Sequence, residues 1–172
     1  MKKRIRIYVL IAFSICLAAA PLVVPFPIKL TYNASASAPI GFYRIKAAGE
    51  LKRGVYTVVP TPPGFRLLAA KRHYLPQNIP LIKRVVGLPG DAVCRHGRTV
   101  FVNQKPVAEA LLRDSQGRDL PVWQGCFVLK PDQFFALMEH PESFDGRYFG
   151  PLNTADIVGI AVPLITWEPE DA

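Results

Sequence analysis

The stretch LIKRVVGLPGD, Leu81 to Asp91, decides how the chain is read. Its first half is a β-branched run, and its second half is a turn in which two glycines bracket Leu-Pro. Asp91 closes that turn, a place where a short carboxylate caps backbone amides. Period-two alternation puts Leu81, Lys83 and Val85 on one face of the strand and Ile82, Arg84 and Val86 on the other. A lysine flanked on its own face by Leu and Val is drawn out of water, and desolvation lowers its pKa by disfavouring the ammonium. That is the condition a lysine needs to act as a general base. Taken alone, a strand lysine is more often an exposed edge charge, so Lys83 gains meaning only from other residues.

Working outward, the chain after residue 30 reads as short strands separated by turns. The runs Val55 to Pro60, Thr99 to Asn103, Cys126 to Leu129, Gln133 to Met138 and Ile157 to Trp167 are β-branched or aromatic and bounded by Gly, Pro or Asn. Seventeen prolines and twelve glycines leave little room for long helices. One stretch, Pro60 to Pro80, holds a segment that fits a short amphipathic helix between proline stops, with Lys71, Arg72 and His73 on its polar side. It reads either as a flap against an anionic interface or as a surface loop. The expectation is a mainly β fold, a coiled or barrel-like antiparallel sheet, behind one N-terminal transmembrane helix.

The N-terminus supplies that helix. MKKRIR is basic, and from Ile7 to Ile28 no charged residue occurs, 22 positions in all. A spanning helix needs roughly 17 to 25. Basic residues before the run place the N-terminus inside and everything after Lys29 outside, in a bacterial periplasm. Pro21, Pro25 and Pro27 are expected to end or kink the helix. Ala18 and Ala20 leave open a cleaved signal sequence instead. The domain expectation is a cytoplasmic basic stub and anchor over residues 1–30 and a periplasmic domain over 31–172. The net charge of +8 is spread in pairs such as Lys52-Arg53 and Lys83-Arg84, which suits membrane lipid better than nucleic acid.

Several chemistries are missing from the sequence. There is no GxSxG, no HExxH and no phosphate-binding glycine pattern. His73, His96 and His140 lie in polar or proline-flanked contexts and read as surface residues. Cys16 lies in the apolar run, while Cys94 and Cys126 either pair in an oxidising compartment or stay separate thiols. No Cys/His spacing of a zinc site occurs, and neither metal nor cofactor is expected.

A second stretch, NASASAPIGFYRI from Asn33 to Ile45, places Ser35 and Ser37 just beyond the apolar run. Taken with KRVVGLPGD (Lys83 to Asp91) and SFDGRYFGP (Ser143 to Pro151), it resembles the three boxes of type I signal peptidases, the Ser-Lys membrane proteases. The closer resemblance is to the conjugative-transfer branch, the TraF-type peptidases that mature pilins, whose SAPxGxY form appears here as Ser37 to Tyr43. The resemblance implies Ser37 as nucleophile, Lys83 as general base and Ser35 as a hydroxyl donor beside the Ser37 amide in an oxyanion hole. In an extended segment residues two apart point the same way, so both hydroxyls are expected to face one carbonyl. Pro39 stands two residues after Ser37 where ordinary signal peptidases have it three after, which leaves Ser35 as the alternative nucleophile.

The resemblance also implies Ser143 as the serine that orients the lysine amine, and Asp145 with Arg147 as the pair that braces the site. Gly146 replaces the serine usual at its place, with no evident penalty. The implied activity is a serine endopeptidase acting on membrane-inserted precursors, with conjugative pilin maturation by C-terminal trimming, with or without cyclisation, as the leading reading. The alternatives are a housekeeping signal peptidase and a non-enzymatic envelope or pilus-assembly component. The implied partners are a pilin or preprotein substrate and inner-membrane lipid, and no nucleic acid.

Overall fold

The computed structural model of the chain describes residues 2–23 and 29–167. It opens with helix α1 (Lys2–Val23), which carries Pro21 in its last turn, so the helix stops where the prolines accumulate. Pro25, Pro27 and the outer end of the charge-free run lie outside the described residues. Among the described residues no helix is long and apolar enough to cross a membrane.

The rest of the described residues form antiparallel strands, with two short α-helices and a 3-10 turn (Thr154–Asp156) between them. A seven-stranded sheet contains β1 (Leu30–Asn33), β2 (Ile40–Lys46), β3 (Tyr56–Val59), β4 (Leu81–Gly87), β9 (Gln133–Leu137), β10 (Leu152–Asn153) and β11 (Gly159–Trp167). Its order is β1-β2-β11-β3-β4-β9-β10, so the last long strand closes between the second and third. A second sheet of four strands, ordered β7-β6-β5-β8, is formed by β5 (Ala92–His96), β6 (Thr99–Val102), β7 (Lys105–Glu109) and β8 (Gly125–Val128). Helix α2 (Pro63–Lys71) and the single-turn α3 (Gly146–Phe149) fill the connections. The architecture is thus mainly β with a curled antiparallel sheet, as expected. Strands β1, β2, β5, β7 and β10 lie outside the six runs expected from the sequence; each is short or interrupted by glycine, proline or charged residues.

β2 alternates buried and exposed positions, with Tyr43 and Ile45 inward. Gly41 on this strand has φ +143°, and a Cβ there would stand 2.1 Å from the Ile165 carbonyl oxygen, so only glycine lets β2 and β11 approach at their register shift. β4 is buried at Leu81, Ile82, Lys83 and Val85, while Arg84 is half-exposed. The expectation that Lys83 shares the dry face of Leu81 and Val85 is met by its 1% exposure.

The stretch Pro60 to Pro80 is a wall of the domain. Ala69 of α2 is buried, and Phe65 packs on Phe144 and Phe149. Arg72 is pinned by donating to the Asp119 carbonyl, so of the three basic residues assigned to a polar side only Lys71 and His73 are exposed. On the second sheet, Cys94 and Cys126 face each other across β5 and β8 and form a disulfide.

Candidate active site

The local sequence around Ser37 departs from the extended segment expected. Residues 35 to 38 form a turn, closed by the Ala38 amide donating to the Ser35 carbonyl at 3.4 Å. The physical reason is Asn33, at the end of β1. Its side-chain amide donates to the carbonyls of Ser35 (2.8 Å), Ala38 (3.0 Å) and Pro39 (3.2 Å), while its carbonyl oxygen accepts from the Ser35 amide. A short amide side chain thereby replaces the ladder partner that the backbone loses. Buried Tyr43 holds the far end by donating its hydroxyl to the Pro39 carbonyl at 2.6 Å. Its phenol is pushed up to about 12 by burial and by neighbouring Tyr56, so it stays a donor.

The turn brings the two serine hydroxyls together by a different route from the one expected. Ser35 Oγ and Ser37 Oγ lie 3.0 Å apart, and the Ser37 amide donates to Ser35 Oγ at 3.3 Å. Lys83, 46 positions later, reaches the same point from β4. Its Nζ lies 3.3 Å from Ser37 Oγ and 2.7 Å from Ser143 Oγ. Ser143 is buried in the loop that follows β9. Burial pushes the Lys83 ammonium down to about 8; the Arg147 charge pushes the same way and the Asp145 carboxylate opposes them. A substantial neutral fraction at mildly basic pH follows.

Asp145 and Arg147 form a buried ion pair, Nε to Oδ1 at 2.9 Å and a second guanidinium nitrogen to Oδ2 at 3.1 Å. Such a pair is retained only when its remaining hydrogen-bonding capacity is used, and here it is. Asp145 also accepts from the amides of Met138 and Arg147, while Arg147 donates to the carbonyls of Met138, Glu109 and Pro141. The pair therefore ties the end of β9, the loop bearing Ser143 and the edge of β7 into one unit. Gly146 follows within this unit. A Cβ there would lie 2.8 Å from the Ala136 carbonyl oxygen and 2.8 Å from the Phe135 ring, so the serine usual at this position has no room. The lack of room accounts for glycine standing here and agrees with the reading of Gly146 as a departure without penalty.

Arg95, which sequence reasoning passed over, is fully buried on β5 and donates to the Arg147 carbonyl at 2.7 Å. Asn33, Tyr43 and Arg95 are thus supports of the site without a motif of their own. Only Asn33 left a signal, an Asx residue two positions before Ser35. Asp91 keeps the capping role expected, accepting from the Leu88 amide at 2.6 Å, and adds side-chain partners in Arg53 and Asn103. His73 and His96 are exposed and His140 is half-buried. No Cys/His spacing was recognised in the sequence, yet strand pairing gathers Cys94, His96 and Cys126 with ligand atoms within 4.8 Å; the two sulfurs are joined in the disulfide.

Ser37 and Lys83 open onto a cavity of about 670 Å³ walled by Ile45, Val58, Leu81 and Ile82 from the sheet and by Tyr74 and Ile79 from the stretch after α2. Its lining is largely apolar, so it suits small aliphatic side chains of an extended polypeptide.

Over residues 1–167 the chain matches the family described as signal peptidase, peptidase S26. It is 32% identical over 150 residues to the conjugal transfer protein TraF of Agrobacterium fabrum, covering 80% of this chain and 82% of that one. With the plasmid transfer protein TraF of Escherichia coli it shares 32% identity over 147 residues, 78% of this chain and 82% of the other. Signal peptidase I V of Bacillus subtilis is 34% identical over 99 residues, 49% of this chain and 57% of that protein. Among solved structures, a signal peptidase I from Enterococcus faecalis covers 66% of this chain and 98% of its own, with 20% identity and a TM-score of 0.40.

Proposed function

We propose, given that the chain belongs to the signal peptidase family, peptidase S26, that it is a membrane-anchored serine endopeptidase with Ser37 as nucleophile and Lys83 as general base. The carrying observation is the placement of a fully buried lysine amine 3.3 Å from a hydroxyl on an ordered turn. Neutral Lys83 takes the Ser37 proton, and the alkoxide attacks a peptide carbonyl. The Ser35 hydroxyl and the Ser37 amide turn from each other to the developing oxyanion. Ser143 keeps the amine aimed, and the Asp145–Arg147 pair keeps Ser143 in place. Lys83 then protonates the departing amine, leaving an acyl-enzyme.

The substrate reading is a membrane-inserted pilin precursor of a conjugative system, trimmed near its C-terminus, with the ester resolved by water or by the substrate's own amine. Similarity over about four-fifths of the chain to proteins named for conjugal and plasmid transfer supports it. A bacterial inner-membrane location, with the domain in the periplasm, rests on two features. Helix α1 leaves Tyr8, Leu10, Phe13, Ile15 and Leu17 more than 60% exposed, so its apolar surface has no protein core to pack on. At the β1-β2-β11 end of the larger sheet, exposed Leu30, Tyr32, Phe42, Ile165 and Trp167 make an aromatic and aliphatic rim of the kind found at membrane interfaces. General signal-peptide removal is the second reading, favoured by the likeness to the Bacillus signal peptidase.

Co-expression with a cognate pilin precursor tests the proposal. Ser37→Ala, Lys83→Ala and Lys83→Arg should each abolish processing while the protein stays folded in the membrane fraction, the last because a guanidinium stays protonated. Processing by either alanine variant, or failure of the wild type to react with a serine-directed acylating probe, refutes it; a preprotein cut in place of the pilin favours the second reading.

A further inference from the structure

Ser37 lines a second cleft, of about 370 Å³, and is the one residue common to this cleft and the larger cavity. The two differ in chemistry. The larger cavity is mainly apolar, with Asp114 and Glu142 also on its lining, whereas the smaller second cleft is bordered by Arg84, Glu139 and His140 together with Tyr56 and Met138. The backbone along its border is tied to the site. Met138 is held through both its amide and its carbonyl by the Asp145–Arg147 pair, and Glu139 is the next residue. Arg84 adjoins Lys83 on β4, lies over the Tyr56 ring and pairs with Glu139. His140 accepts the Glu142 amide at Nδ1 and the Ser143 amide at its carbonyl.

A peptide bond is neutral before it is cut, and in acyl transfer the new charge appears on one side alone. The acyl half stays bound to Ser37 as an ester. The other half leaves as an amine, which is a cation near neutral pH. The mainly apolar larger cavity suits the acyl half; the second cleft, whose border is charged and which meets that cavity only at Ser37, suits the amine. We propose, resting on the peptidase reading above, that the second cleft is the amine-side subsite. It holds the departing polypeptide and then the nucleophile that resolves the acyl-enzyme, with the Glu139 carboxylate recognising an α-ammonium group.

The bonds balance. In acylation the C–N bond breaks, and the amine leaves with the proton that Lys83 carried from Ser37, then takes a further proton from solvent to become the ammonium. In deacylation an α-ammonium seated by Glu139 first gives one proton to solvent; the neutral amine, or water, then forms a bond to the ester carbonyl, the C–O bond to Ser37 breaks, and the nucleophile's next proton passes through Lys83 to Ser37 Oγ. An amine seated by Glu139 competes with water for that step, so the cleft governs the choice between joining and hydrolysis.

The test uses the full chain in detergent micelles and a peptide ester substrate. Acyl-enzyme is first detected by intact mass, and deacylation is then partitioned between water and an added amine. With a dipeptide amide as nucleophile, Glu139→Gln should lower the ratio of joined to hydrolysed product about two- to fivefold, the range of an exposed charge pair. Glu139→Asp should retain part of the ratio, and molar salt should erase the difference. With uncharged hydroxylamine the ratio should be the same in both proteins. Unchanged partition to the dipeptide amide, or equal losses for both nucleophiles, overturns the subsite while leaving the dyad intact. Absence of any acyl-enzyme in the wild type overturns the peptidase reading and the subsite with it.

Discussion

Lys83 Nζ stands closer to Ser143 Oγ, at 2.7 Å, than to Ser37 Oγ, at 3.3 Å. The shorter contact joins two buried groups and the longer one reaches a partly exposed turn. The resting amine is therefore aimed by Ser143, and Ser37 approaches an acceptor whose orientation is already set.

Ser143→Ala should weaken activity without abolishing it. The lysine keeps its burial and its path to Ser37 but loses its closer partner. One such hydrogen bond is worth about 1 kcal/mol, so kcat should fall roughly five- to tenfold. Steady-state kinetics check this, and a loss as complete as that of Lys83→Ala would give Ser143 a direct share in proton transfer.

The pH dependence follows from the lysine being lowered to about 8. kcat/KM should rise about tenfold per pH unit below that value and level off above it. Stability has a defined sign too. Folding lowers this pKa from 10.5, so between about 8 and 10.5 the unfolded chain binds more protons and the fold gains stability as pH rises. Below 8 the burial penalty is fully present, at about 3 kcal/mol. Lys83→Met should accordingly be inactive yet melt higher at pH 7, an advantage that shrinks by pH 10.5. Thermal melts across that range decide it.

Gly146→Ser, which installs the residue usual in the family's box, should destabilise the protein by about 1–3 kcal/mol, the range for overpacking a closed interior. The added Cβ meets a backbone carbonyl that cannot swing aside. Denaturant unfolding measures the loss; a neutral result would mean that β9 yields.

Asn33→Ala should leave the melting temperature within a few degrees, because Asn33 is at the end of an edge strand. Activity should drop by tenfold or more, since the carbonyls of Ser35, Ala38 and Pro39 lose their common donor and the Ser37 hydroxyl is no longer held opposite Lys83. Asn33→Asp, an acceptor only, should fail similarly, and kinetics beside a melt separate the two readouts.

Much of the molecule was legible before its fold was known, wherever a local rule governs. Two-residue alternation was enough to put Lys83 among Leu81 and Val85, because a strand has no other way to arrange its side chains. Proline and glycine density left little room for long helices after the first, and the resemblance carried by the three boxes pointed to the same family that residues 1–167 match. The sequence could not say that Ser35 and Ser37 meet across a turn, that Gly146 lies against β9, that Arg95 supports Arg147, or that Cys94 pairs with Cys126. Each of these depends on a distance between segments far apart in the chain, or on a side chain such as Asn33 replacing backbone partners. Period and propensity describe one segment at a time, so it is the closure of the curled sheet that brings β4, the serine turn and the Ser143 loop to a single point.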